Sequence, residues 1–400
     1  MANRIPISTE LEFDVCGNSV NITWRAPTFG RRKIPFKPPY DEATLPLVVK
    51  ALDAIQYPGH PQQGPQFSAD EQARLQKLEL WQSDRVAADA YKHVGIAIYD
   101  GLGEEGKDAL NDVRNEAINQ RRSINYILRF PKEDVHLAAL PWELISDQDQ
   151  PVLLSRGTGI DSCERYVDID RALPPTLPSD QHLHLLALLP HYGIPQEIRQ
   201  QEHTARLESW GKLRETKHIT FDEIGPVTMR QLDDYLRNAQ RRPDIIHYFG
   251  HGSYRDGQGY LIFDHDGDER ELVSTVKLAA ALGDVRLLVI HACQSAMIDQ
   301  DCGLLTGVAP ALSLVTGAVV AMQLTVQIAA AMRFSEVFYE ELLVRYRSVQ
   351  EAVGLGRQSL FSEFPDNANW YVPTLYIRSR EPKPFHLQQP PHTIKPPEFF

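Results

Sequence analysis

From Leu183 to Gln323 the chain alternates short apolar runs with longer amphipathic ones, and this restricts the fold more than any other feature. The apolar runs are Leu183 to Leu189, His218 to Glu223, Asp244 to Phe249, Val285 to His291 and Ala318 to Gln323. Stretches with helical spacing separate them: Glu197 to Trp210, Met229 to Asn238, Thr275 to Leu282 and Leu304 to Val315. Strands that recur with helices between them predict an α/β fold, with an open, mostly parallel sheet and helices on both faces. Thr228 and Gln231 have capping-box spacing at one helix start, and Gly283 fits a helix stop. Gly259 to Phe263 and Arg270 to Val273 flank the acidic turn Asp264 to Asp268 and predict a hairpin. That turn lacks the ligand spacing of a calcium loop and reads as solvated.

Two of the predicted strands end in reactive tips. Asp244 to Phe249 runs into Gly250-His251-Gly252-Ser253, and Val285 to His291 into Ala292-Cys293-Gln294-Ser295. Parallel neighbours would bring His251 and Cys293 together beyond their C-terminal ends, where ligands sit in open α/β sheets. A thiol attacks as thiolate, and an imidazole can take its proton and later protonate a leaving amine. Gly252 has no Cβ, so its N–H, with that of Cys293, is a candidate oxyanion donor pair. A Cys at a strand end is most often simply buried, and a single His-Gly proves little. It is the joint placement that points to chemistry.

The N-terminal part reads less regularly. Leu11 to Val15 and Val20 to Trp24 alternate around Gly17-Asn18 and predict a hairpin. Phe29 to Tyr40 reads as a loop, and Glu42 to Ile55, Ala69 to Leu102 and Gly106 to Gln120 as helices. Ser123 to Phe130 reads as a strand. The Trp142-Glu143 pair after Pro141 reads as a helix start, with Glu143 in a structural role. The Pro-rich stretch from Arg171 to Asp180 reads as a linker, giving a supporting subdomain over 1–175 and a second over 181–380, with a Pro-rich tail over 381–400. After the alternation come helices Phe334 to Tyr346 and Val349 to Phe361. A last strand, Tyr371 to Ile377, is expected to be an edge or irregular strand because of Pro373.

The formal net charge of −12 argues against direct nucleic-acid binding. The N terminus carries no secretory apolar region, and the 4 cysteines form no C-x-x-C pair. Both fit a reducing cytoplasm, where a thiolate persists. Gly303 to Met332 is uncharged and long enough to span a bilayer. Gly307, Pro310, Gly317, Gln323 and Gln327 interrupt it, so it reads as buried helix, strand and helix start. No metal, cofactor or membrane is expected.

Several motifs in order give a specific resemblance. They are Leu140 to Ile145, His247 to Gly252, Leu288 to Ser295, Gly303-Leu304, Gly317 to Gln323, Phe338-Tyr339, Ser348 to Val353 and Trp370. From about Lys92 to Ile377 the chain resembles CHAT-domain proteins of the caspase, separase and gingipain clan of cysteine peptidases. The resemblance implies a caspase-like sheet with an N-terminal pseudo-subdomain. It implies His251 as base, Cys293 as nucleophile, and Gly252 with Cys293 as oxyanion donors. It places His291, Gln323 and Gln327 as candidate substrate-binding residues. Arg-selective relatives carry an acid near Met322 to Ile328; here Gln327 and Ile328 stand there, so the residue before the cut bond is expected to be uncharged or loosely constrained, unless Asp299 or Asp301 supplies the charge from a loop. The expected substrate is a protein. The expected control is an activating partner or an upstream protease, in a prokaryotic defence or signalling pathway. A catalytically silent interaction module is the alternative.

Overall fold

The computed structural model describes residues 5–16, 19–57, 64–131, 135–148, 150–154, 160–167, 182–214, 219–255, 258–265, 269–283, 285–292, 307–364 and 369–378. The chain opens with strands β1 (Ile7–Cys16), β2 (Ser19–Ala26) and β3 (Gly30–Phe36), then helices α1 (Leu45–Ala54) and α2 (Ala69–Lys77). A small hairpin, β4 (Trp81–Gln82) and β5 (Arg85–Val86), leads to α3 (Ala90–Gly101), α4 (Gly103–Gln120), β6 (Ile124–Phe130) and α5 (Val135–Ala139). A 3-10 turn, Trp142–Leu144, precedes β7 (Ser146–Asp147), β8 (Gln150–Pro151) and β9 (Ser162–Val167). The second half holds β10 (Leu183–Leu188), α6 (Gln196–Arg214), β11 (Ile219–Ile224), α7 (Met229–Asn238) and β12 (Ile245–Phe249). Next come β13 (Gly252–Arg255), β14 (Gln258–Asp264), β15 (Arg270–Ser274), α8 (Thr275–Leu282), β16 (Leu287–His291), α9 (Val308–Leu312) and β17 (Ala318–Met322). The last elements are α10 (Ile328–Tyr339), a π-helical stretch Glu340–Val344, α11 (Val349–Glu363) and β18 (Pro373–Ile377).

One 11-stranded sheet joins both halves, in the order β11-β10-β12-β16-β17-β18-β9-β6-β1-β2-β3. The five strands β11, β10, β12, β16 and β17 are parallel. Strands β10, β16, β17 and β18 are buried at every residue, as a sheet covered on both faces requires. Alternate residues of β12 show the two layers. His247 meets Trp210 of α6 and Tyr339 of α10 on one face. Tyr248 stacks on Phe263 of β14 on the other. Strands β13, β14 and β15 form a separate antiparallel sheet. The alternation of the second half therefore folds as its pattern predicts. The Thr228 capping box forms, and α8 stops at Gly283 with φ 57°. The α/β architecture, largely parallel with helices on both faces, is the expected one.

The N-terminal half corrects several expectations. Gly30 to Phe36 is a strand, not a loop; Ile34 and Phe36 are buried while Pro35 lies exposed on the sheet edge, where a missing N–H does no harm. Ala69 to Leu102 is two helices around the β4–β5 hairpin, because Glu79, Ser83 and Asp84 take positive φ. Leu140 to Ile145 holds a 3-10 turn instead of an α-helix start. β9 escapes the sequence pattern because its Glu164 and Arg165 are ionisable residues and yet buried. β18 is interior, between β17 and β9, and Pro373 is tolerated as its first residue. The linker from Arg171 to Asp180 and the tail 381–400 lie outside the described residues. Among the described residues no helix is long and apolar enough to cross a membrane.

Candidate active site

The ladder between β12 and β16 runs from Ile245↔Leu287 to Phe249↔His291, so the two strand ends are level. Gly250 then donates its N–H to the His291 carbonyl at 3.1 Å. A Cβ there would lie 2.5 Å from Pro190 Cγ, so only glycine allows this close approach. The chain leaves the sheet at His251 and enters β13 at Gly252, which is paired with Leu261. The His251 carbonyl accepts from Ile262 N–H at 2.9 Å and from the Tyr248 hydroxyl at 2.9 Å. The backbone that carries the imidazole is thus pinned from two sides, while the residue stays partly exposed.

A second loop flanks the ring. Pro190 to Gly193 follows β10, and Gly193 (φ 69°) faces Nε2 and Cδ2 of His251. Asp264, the last residue of β14, fastens this loop. Its carboxylate accepts from the N–H groups of His191 (3.0 Å), Tyr192 (2.8 Å) and Val227 (2.8 Å). Gly193 is not conspicuous in sequence, and Asp264, read there as the start of a solvated acidic turn, is instead the partly buried last residue of β14, bound to three backbone N–H groups. The available signal is the Pro-Gly turn directly after the first strand of the alternation.

Below this level lies a buried imidazole pair. The His247 and His291 rings are 5.0 Å apart. Nδ1 of His247 is 2.9 Å from the Tyr339 hydroxyl, and Nε2 of His291 is 3.2 Å from Ser335 Oγ. Burial, then the neighbouring His291 and Arg206, hold His247 well below its ordinary value. Burial alone pulls His291 down to about 3. Both rings are neutral at pH 7. His291 lies on the wall of a cavity of only about 20 Å³, together with Ser335, Met332 and Arg206.

The other expected site residues fall in different places. Gln323 is buried, with Nε2 donating to the Tyr371 carbonyl (2.6 Å) and to Glu143 (3.2 Å). Gln327 is half-buried at the start of α10, its Nε2 3.5 Å from the Gln56 carbonyl. Cys293, Asp299, Asp301 and Cys302 lie outside the described residues. Cys163 is buried, and that burial, reinforced by Glu143, pushes its thiol up to about 12, a poor nucleophile. Glu143 is fully buried and tied to Arg165 (2.6 Å), Thr374 and Arg357 (3.7 Å). Burial would raise its carboxyl, but the Arg165 charge prevails and holds it at about 2. That is a structural ion pair, as the sequence suggested. Among the described residues no group of His, Cys, Asp and Glu could hold a metal ion.

In chain order β10, β11, β12, β16 and β17, the five parallel strands stand 2-1-3-4-5, with the switch point between β10 and β12. A sheet wound this way is an open, doubly wound α/β arrangement, and His251 follows the end of its third strand, at the edge where such folds bind ligands. The CHAT domain family model matches residues 95–380, and the chain belongs to the CHAT-domain family. Its fold is similar to that of separase in the Saccharomyces cerevisiae separase–securin complex, at 12% identity and a TM-score of 0.48, over 93% of this chain and 30% of that one. It is similar to the Arg-specific cysteine proteinase gingipain R at 11% identity and a TM-score of 0.40, over 75% of this chain and 68% of that one. A secreted C11 cysteine protease from Bacteroides thetaiotaomicron matches at 11% identity and a TM-score of 0.32, over 45% of this chain and 59% of that one. The chain thus spans about 30% of the length of the separase chain. No curated protein matches the sequence.

Proposed function

We propose that this chain is a cysteine endopeptidase in which Cys293 is the nucleophile and His251 its base. The supporting observation is the level end of the β12–β16 ladder at Phe249↔His291. His251 and Cys293 each follow that pair by two residues in sequence. In this reading the Cys293 thiol gives its proton to His251, and the thiolate attacks the peptide carbonyl. The N–H groups of Gly252 and Cys293 hold the oxyanion. The imidazolium protonates the leaving amine, and water then hydrolyses the thioester with His251 as base.

The substrate is a protein. Activity is switched on by a protein partner or an upstream cleavage, in the cytoplasm of a prokaryote, within a defence or signalling pathway. Two measurements test this. A thiol-reactive peptide probe should label the protein at Cys293, and expression should create new N-termini across the host proteome. Both should vanish in Cys293→Ala. A proteome unchanged by the activated wild type, with no labelling at Cys293, would refute it.

A further inference from the structure

On the loop that faces His251 opens a cavity of about 410 Å³ that the catalytic scheme leaves unused. It opens over Leu189, Gly225 and Phe249, at the C-terminal ends of β10, β11 and β12. That is the switch point of the parallel sheet, where strand order reverses and open α/β folds bind their ligands. The loop that carries Gly193 against His251 also contributes Pro190, His191 and Ile194 to its wall. The cavity and the imidazole therefore share one loop. A ligand bound in it touches the loop that faces the imidazole.

Among the described residues, one cation of the lining makes no salt bridge. Arg206 is spoken for: it pairs with Glu202 at 2.9 Å and with Glu223, and donates to His203 Nδ1 at 3.1 Å. Burial, then the charge of Arg199, holds His191 below its usual value. Arg199, in the first turn of α6, differs. Its Nε is buried and has no hydrogen-bond acceptor among the described residues. The side chain as a whole is only partly buried and lines the cavity, so a ligand there can meet its charge. The first turn of α6 also presents the positive end of a 19-residue helix. A carboxylate matches both features, since a guanidinium binds it through charge-assisted hydrogen bonds.

We propose that this cavity binds a carboxylate of the peptide substrate, from an acidic side chain or a free C terminus, with Arg199 as its counter-charge. The proposal rests on the peptidase reading. It adds a substrate class: peptides acidic near the cut bond. No bond changes in this subsite, so its effect is on affinity and on the choice of cut.

The test uses the full chain carrying Cys293→Ala, so that no peptide is consumed. Fluorescein-labelled octapeptides, neutral and amidated, are compared with a set in which one Glu is walked along the sequence. One further neutral peptide keeps its free C-terminal carboxylate. Fluorescence anisotropy should show at least one carboxylate peptide binding about tenfold more tightly than the neutral amide, as one charge-assisted contact allows. The Glu set and the free-terminus peptide show which source is used. The gain should disappear in Arg199→Gln and be partly kept in Arg199→Lys, with circular dichroism unchanged. Equal binding of all peptides, or a gain untouched by Arg199→Gln, overturns the proposal. If Arg199→Gln fails to fold, the Glu-to-neutral ratio in the parent and in Arg199→Lys decides. Activated wild-type protein is then given the best peptide. Binding without cleavage would count against the peptidase and leave the subsite standing. Cleavage with no preference for acid would remove the subsite and leave the peptidase.

Discussion

A methyl group at position 193 would stand 3.2 Å from Nε2 of His251, on a backbone with φ 69°. Glycine at that position therefore decides where the imidazole can lie. Gly193→Ala would be strained in its backbone and would press on the ring. We expect a fall in kcat of about tenfold or more with little change in KM, since a small misplacement of a reacting group is costly. Kinetics with a peptide substrate, alongside circular dichroism, check this. Asp264→Asn should act the same way more weakly, because the amide keeps one oxygen for the N–H groups of His191, Tyr192 and Val227. Normal kcat in a folded Gly193→Ala protein would show that the ring is not positioned by this loop.

His251→Ala should lower turnover by about 10² to 10⁴-fold, the range for loss of a general base. Cys293→Ala should abolish turnover and leave the fold intact. Cys302→Ala should retain most activity, because Cys302, unlike Cys293, does not follow an apolar strand-like run in the sequence. His247→Ala should instead cost stability, because the ring packs between Trp210 and Tyr339 and bonds the Tyr339 hydroxyl. Turnover and a urea midpoint for each variant separate the cases. A stable but inactive His247→Ala beside a mild His251→Ala would reverse the assignment of the base.

The second half of the chain was legible because its physics is local. Runs such as Leu183 to Leu188 are apolar throughout, and a strand buried on both faces can be little else. The candidate base was legible for the same reason: it ends a strand whose neighbours follow from the alternation. What stayed hidden depends on distant partners. β9 carries Glu164 and Arg165, and these look solvated until Gln350 and Glu143, far along the chain, supply their contacts. Arg199 looked like any helical surface cation. The cavity at three strand ends gives it a setting that the sequence does not show, and its Nε has no hydrogen-bond partner among the described residues.

Glu143 welds the halves where β18 meets β9, so its loss should be felt as stability. Glu143→Gln leaves Arg165 buried with its charge uncompensated, and we expect a cost of about 3–5 kcal/mol. The pH sense follows from the depressed carboxyl. Its contribution is fully present above the ordinary value of 4.5 and is lost as pH falls toward about 2. Urea unfolding of both proteins at pH 7 gives the difference. A difference under about 1 kcal/mol would mean that the pair is solvated.

Glu164 carries the opposite sign, and this gives the most specific pH prediction. Burial raises its carboxyl from 4.5 to about 7, against the hydrogen bond from Gln350 at 2.7 Å. Asp161, buried nearby on the same segment, is raised to about 7 as well, also by burial. A raised acid keeps its proton in the fold while the unfolded chain has already lost it. The contribution of Glu164 to stability is therefore fully present below about pH 4.5 and lost as pH rises to about 7. The buried His247 and His291 oppose this trend, since their depressed values remove stability as pH falls below 6.5. The wild-type curve mixes these contributions, so the readout must be a difference. Glu164→Gln keeps the shape and cannot ionise. Relative to wild type it should gain stability steadily between pH 5 and pH 7, by at most about 3 kcal/mol, and no more above that. Urea midpoints at pH 5, 6, 7 and 8 for the two proteins measure it. Parallel curves would mean that Glu164 is ionised in the fold throughout, with a partner other than Gln350 holding its charge.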